Sequence, residues 1–240
     1  MLEAAWEILP RLLDGLGRTV LLLFTCTLLS LPLALGLALA QISQNRLLRW
    51  FSEFYVFIFR GVPALVQLFF VYYGFSMSET LRESWAWYFF QSAWFCGVFA
   101  LTLNTSAYQV VIFRGGFLAV PSTILDAARS LALSRQQVFW LVHLPGAFRL
   151  ALPAYGIELV LLAKATSIVS TITILDLLGT ARLIYTETFD PFTPLLTAGA
   201  LYLLLVWAMQ WAITGMEWWL LPHIRGRRTD RAIAAAVQAH

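Results

Sequence analysis

Charge is scarce in this sequence. Only 12% of its 240 residues are Asp, Glu, Lys or Arg, 60% are hydrophobic, and the mean hydropathy is +0.75. Soluble domains carry about a quarter charged residues, so this composition excludes an ordinary water-solvated globule. Lysine occurs once, at Lys164, where it follows Ala163 inside an apolar run. A phosphate-cradling loop needs a glycine-rich turn followed by Lys and Ser or Thr, so the chain cannot hydrolyse ATP by itself. The two cysteines, Cys26 and Cys96, both fall in apolar runs, which argues against a disulfide framework. His143, His223 and His240 lie far apart, without local metal-ligand spacing or a catalytic constellation. The reading is therefore of a non-enzyme with no cofactor or metal of its own. Internal repeats, low-complexity tracts and linkers are also lacking, so residues 1–225 read as one domain with a polar tail at 226–240. The formal net charge of +3 comes from arginines dispersed through short loops, which fits a membrane partner and not nucleic acid.

What the sequence has is apolar runs. A hydrocarbon crossing takes about 20 mostly apolar residues, and five such runs are present, at about 19–40, 54–75, 93–113, 150–175 and 195–221. The fold class expected is an all-α integral membrane protein with five transmembrane helices. The first run has no basic leader or small-residue cleavage site and reads as a retained span. Arginines orient the bundle. After spans one, three and five come Arg46, Arg49, Arg114, Arg129, Arg135, Arg149, Arg225, Arg227, Arg228 and Arg231; the opposite segments hold Arg11, Arg18, Arg82 and Arg182. Ten against four places the amino terminus outside (periplasmic) and the carboxyl terminus in the cytoplasm. Ala34 with Ala38, and Gly36 with Ala40, put small residues one turn apart on span one for close helix approach. Trp85, Trp87, Trp94, Trp218 and Trp219 read as interfacial belts.

The segment 117–148 is too polar for lipid, yet patterned. Ser122 or Thr123 is placed to cap a helix carrying Ile124, Ala127, Ala128 and Leu131 at helical spacing. Ser134 with Gln137 makes a capping box for a second short helix, which Pro145 is expected to stop. Two short helices meeting at Leu131 and Leu133 form a cytoplasmic knob whose exposed leucines ask for a partner protein.

The residues of this knob carry a resemblance. Asp126-Ala127-Ala128, then Ala132, then Val142, Leu144 and Pro145 resemble the Glu-Ala-Ala coupling loop of ABC importer permeases, with the spacing matched throughout. Segments 59–67, 100–108, 112–116 and 150–158 are similar to those of histidine-type polar amino-acid permeases. The resemblance implies a type I importer permease of the bacterial inner membrane, pairing with a similar or identical second permease. It also implies two ATPase subunits that bind ATP and Mg, and an extracytoplasmic amino-acid-binding protein. Asp126, Ala127, Ala128, Arg129, Leu131, Ala132, Leu133 and Ser134 would form the ATPase-coupling loop. Asp126 departs from the usual Glu, and Ala132 from a Gly; if that corner needs a positive φ, Ala is disfavoured there. Lys164-Ala165-Thr166-Ser167 departs from the common Lys-Asp-Thr-Ser.

Charged groups inside spans default to functional candidates. Glu158 heads them, either lining a cavity that meets the cationic end of a substrate or accepting hydrogen bonds within the bundle. Asn104 and Tyr108, four apart, share one face of span three. Gln67 closes the segment 59–67, and Asp176 stands at the outer end of span four, meeting a ligand or interfacial water. Arg60 is expected to snorkel to the cytoplasmic interface, with Gly61 and Pro63 kinking the helix. The function expected is uptake of polar, preferentially basic, amino acids driven by a separate ATPase. The rival is a secondary amino-acid transporter or channel subunit, which would not need the knob.

Overall fold

The computed structural model of the chain describes residues 2–220. The expected tail at 226–240, the end of the fifth span at Leu221, and His223 and His240 lie outside the described residues. Every regular element described is helical. In chain order they are α1 (Leu2–Ile42), α2 (Arg46–Gly61), α3 (Ala64–Phe69), α4 (Phe75–Met77), α5 (Glu79–Arg82), α6 (Trp87–Phe90), α7 (Ala93–Ala119), α8 (Ser122–Ser130), α9 (Arg135–Val138), α10 (Leu144–Ala165), α11 (Leu177–Thr188) and α12 (Phe192–Leu220). Wide π turns join α3 to α4 at Phe70–Gly74 and α9 to α10 at Phe139–His143, and a 3-10 segment, Thr166–Ile172, extends α10. Four helical stretches are long and apolar enough to cross a membrane, and a fifth results when Arg46–Gly61 and Ala64–Met77 count as one broken span.

The spine is α7, held between α1 and α10. Small residues let the backbones approach. A Cβ on Gly116 would stand 2.5 Å from the Ala147 carbonyl oxygen and 2.9 Å from the Ala151 Cβ, so only glycine fits that crossing. Ala34 and Ala38 are fully buried in the same cluster with Val110, Phe113 and Phe117. Gly36 faces open space and takes no part in helix packing. Toward the other end of α7, Cys26, Leu68, Val71, Cys96 and Leu101 form a second cluster, in which both cysteines are buried and free.

Several expectations are corrected here. The first helix starts at Leu2 and its early turns pack on α11 through Leu12, Leu177, Ala181 and Ile184. This short amphipathic pairing is not an apolar run. Arg11 ties it with two hydrogen bonds to Glu187, at 2.6 and 3.0 Å. The kink expected at Gly61 and Pro63, by contrast, is present: the axis turns by 99° between Arg46–Gly61 and Ala64–Met77. Pro145 does not stop a helix. The chain widens to π register, with the Leu144 N–H bonded to the Phe139 carbonyl, and the helix continues through the proline into α10. Ser122 and Thr123 do not cap α8 either; Pro121 occupies the cap position and no side chain bonds there.

Candidate functional site

Proline chemistry builds the centre of the site. In an uninterrupted helix the Phe59 carbonyl would accept from the N–H of residue 63, but Pro63 has none. The orphaned oxygen is taken by two side-chain amides, Gln67 Nε2 and Asn104 Nδ2, each at 2.9 Å. Gln67 Nε2 also donates to the Val62 carbonyl at 2.8 Å. Two residues expected on the substrate path thus hold the helix break open, and Gln67 Oε1 has no partner among the described residues. Unpaired backbone at membrane depth is tolerated only where it is buried in protein or lines a cavity, so such a break marks one. Tyr55 pins α2 to α7 below the break: its hydroxyl donates to the Leu103 carbonyl at 2.9 Å and lies 2.7 Å from Ser106 Oγ. Ser52 ties α2 to α1 through the Leu37 carbonyl at 2.8 Å.

Charged side chains gather at this break. Arg60 stands in the last turn of α2, just before the break. The snorkelling expectation fails. Its guanidinium carbon lies over the Tyr108 ring, 5.0 Å from the centroid, halfway along α7. Glu158, 8% exposed, is within electrostatic reach of Arg60, yet no ion pair forms between them. Glu158 makes no hydrogen bond within the described residues, so the bundle itself does not satisfy it. Lys164 is exposed on the same helix, at membrane depth.

Asp176 belongs elsewhere. It is fully buried, caps α11 by accepting from the Gly179 N–H at 2.9 Å, and accepts from the Tyr202 hydroxyl at 3.1 Å. It is a buried helix cap and not a group in interfacial water. The sequence signal was an Asp followed three residues later by Gly179 at a helix start.

The knob forms the second half of the site. On α8, Ile124, Ala127 and Leu131 share a face (spacing three and four) and all are exposed, Leu131 at 77%. Ala128 points inward and is buried, and Leu133 is half-buried. Asp126 pairs with Arg129 at 2.7 Å on the helix surface. Ala132 turns the corner with φ 58°, so the corner does take the left-handed conformation that disfavours alanine. The Ser134–Gln137 capping box forms as expected, with the Ser134 N–H donating to Gln137 Oε1 at 2.9 Å and the Gln137 N–H to Ser134 Oγ at 3.3 Å.

Residues 15–217 match the family model described as "Binding-protein-dependent transport system inner membrane component". Over 231 residues, 96% of each chain, the protein is 38% identical to the nopaline transport system permease protein of Agrobacterium fabrum. It is 35% identical over 216 residues to the histidine/lysine/arginine/ornithine transport system permease protein of Escherichia coli, covering 90% of this chain and 91% of that one. Among solved structures, an amino acid ABC transporter crystallised with histidines superposes with TM-score 0.78 and 29% identity, over 89% of this chain and 96% of the other. A methionine ABC transporter in an inward-facing conformation shares the fold at TM-score 0.69 and 19% identity, over 90% and 96%.

Proposed function

The chain belongs to the family of binding-protein-dependent transport system inner membrane components, and from that premise we propose that it is the permease subunit of an ATP-driven importer of basic amino acids and their conjugates. The observation that carries the substrate class is Glu158. A carboxylate in a span, nearly buried and without a hydrogen-bond partner among the described residues, calls for a cation, and it is within electrostatic reach of Arg60 at a helix break of the kind that lines transporter paths. A guanidinium or ammonium passing through supplies that cation. The relatives agree in kind: their names specify nopaline, octopine, arginine, or histidine, lysine, arginine and ornithine.

In this reading the knob end faces the cytoplasm and the start of α1 the outside, as the arginine distribution requires. The apolar face Ile124–Ala127–Leu131 is the surface an ATPase subunit covers, and ATP and Mg are bound there, in the partner. A second permease closes the path, and an extracytoplasmic binding protein delivers the substrate. Glu158→Gln tests the substrate assignment, since it keeps shape and hydrogen bonding while removing charge. Uptake of basic substrates falls while yield and thermal stability of the complex hold. Lost assembly, with surviving complexes transporting normally, contradicts the assignment.

A further inference from the structure

Arg60 is a second charge at membrane depth, and the cation-binding role of Glu158 leaves it unused. It is exposed, and among the described residues no carboxylate lies within ion-pairing distance of it. Had its task been to neutralise Glu158, the two would close to a salt bridge, as Arg11 and Glu187 do at 2.6 Å. They remain apart, although the charge of Arg60 is felt at Glu158. Tyr108 contacts the face of the guanidinium. Such stacking occupies the π surface and leaves the planar fork of N–H donors free, the geometry that grips a carboxylate through two parallel bonds. Gly61, Val62 and Pro63 beside it are also exposed, so the backbone next to the fork is open to a solute.

We infer that Arg60, backed by Tyr108, binds the carboxylate of the transported molecule, so that the path selects solutes carrying a cation and a carboxylate at opposite ends. This rests on the basic-substrate reading and adds a requirement which that reading does not contain. A cation alone satisfies Glu158. Only a molecule with a carboxylate satisfies both poles, and a conjugate bearing an extra carboxylate is accommodated on the same terms.

The test uses the assembled transporter, purified without its binding protein so that the delivery step does not set the preference. Binding of labelled L-arginine is measured and competed with agmatine, which lacks the carboxylate, and with citrulline, whose neutral ureido group replaces the side-chain cation. Wild type prefers arginine over agmatine by about 10- to 100-fold, the range of a charged hydrogen-bonded contact. Arg60→Gln brings that ratio close to unity while the preference for arginine over citrulline persists. Arg60→Lys keeps charge without the fork and lowers the ratio several-fold; it carries the test if the glutamine variant fails to assemble. An arginine-to-agmatine ratio unchanged in the variants overturns the inference alone. Absence of arginine binding to wild type overturns the basic-substrate reading and this inference with it.

Discussion

Replacing Gln67 and Asn104 by leucine, singly and together, probes how the helix break is maintained. Asn104→Leu removes one of the two donors on the Phe59 carbonyl, which keeps its bond from Gln67. The loss is that of one interhelical bond in a membrane, about 0.6 kcal/mol. Gln67→Leu leaves Phe59 served by Asn104 but orphans the Val62 carbonyl, at about 1–3 kcal/mol, the lower end applying where cavity water reaches the oxygen. In the double variant both carbonyls are orphaned. The second deletion then costs what neither did alone, so the double exceeds the sum of the singles by about 1 kcal/mol or more. Reversible unfolding of the purified protein in mixed micelles, read across the four proteins as a double-mutant cycle, measures this. Additivity within about 0.5 kcal/mol would refute the claim that the two amides share one acceptor and hold the break.

Gly116→Ala forces α7 off α10 at the Ala147 carbonyl, and a loss of about 1–3 kcal/mol is expected in the same unfolding assay. Leu131→Asp places an unpaired charge on the exposed apolar face of the knob, where covering it costs several kcal/mol. Insertion proceeds normally and copurification of the ATPase is lost; retained association means the knob is not the docking surface. Glu187 sits below the ordinary carboxylate range because Arg11 donates to it. A depressed folded value stabilises above the unfolded pKa of about 4.3 and is lost as pH falls through the folded one. Thermal unfolding scanned downward from about pH 6 through that window therefore shows a small loss in wild type that Glu187→Gln removes. An identical pH profile in the variant refutes this.

Periodicity and composition carried the bundle, because lipid demands long apolar runs whatever their partners. They also carried the knob, since capping at Ser134 is local chemistry, whereas the sequence left open whether the corner at Ala132 takes a positive φ, which the structure answers with φ 58°. Residues whose role depends on a distant partner were less legible. Gln67 and Asn104 are polar positions on separate helices, and nothing local says they converge on the Phe59 carbonyl; the missing N–H of Pro63 was the available clue. Asp176 was misplaced because its partners are the start of α11, a short helix that hydropathy does not detect, and Tyr202, distant in sequence on α12. Arg60 was misread because its partner, the Tyr108 ring halfway along α7, sits on another helix.

Uptake by the reconstituted complex tests the central claim most directly. The permease, a second permease subunit, the ATPase pair and the binding protein are assembled in proteoliposomes, with binding protein and labelled arginine on one side and ATP with Mg on the other. The account predicts accumulation that requires ATP on the knob side and ceases when either the ATPase or the binding protein is omitted. Accumulation by this chain without ATP, driven by an ion gradient alone, would contradict it and identify a self-sufficient carrier.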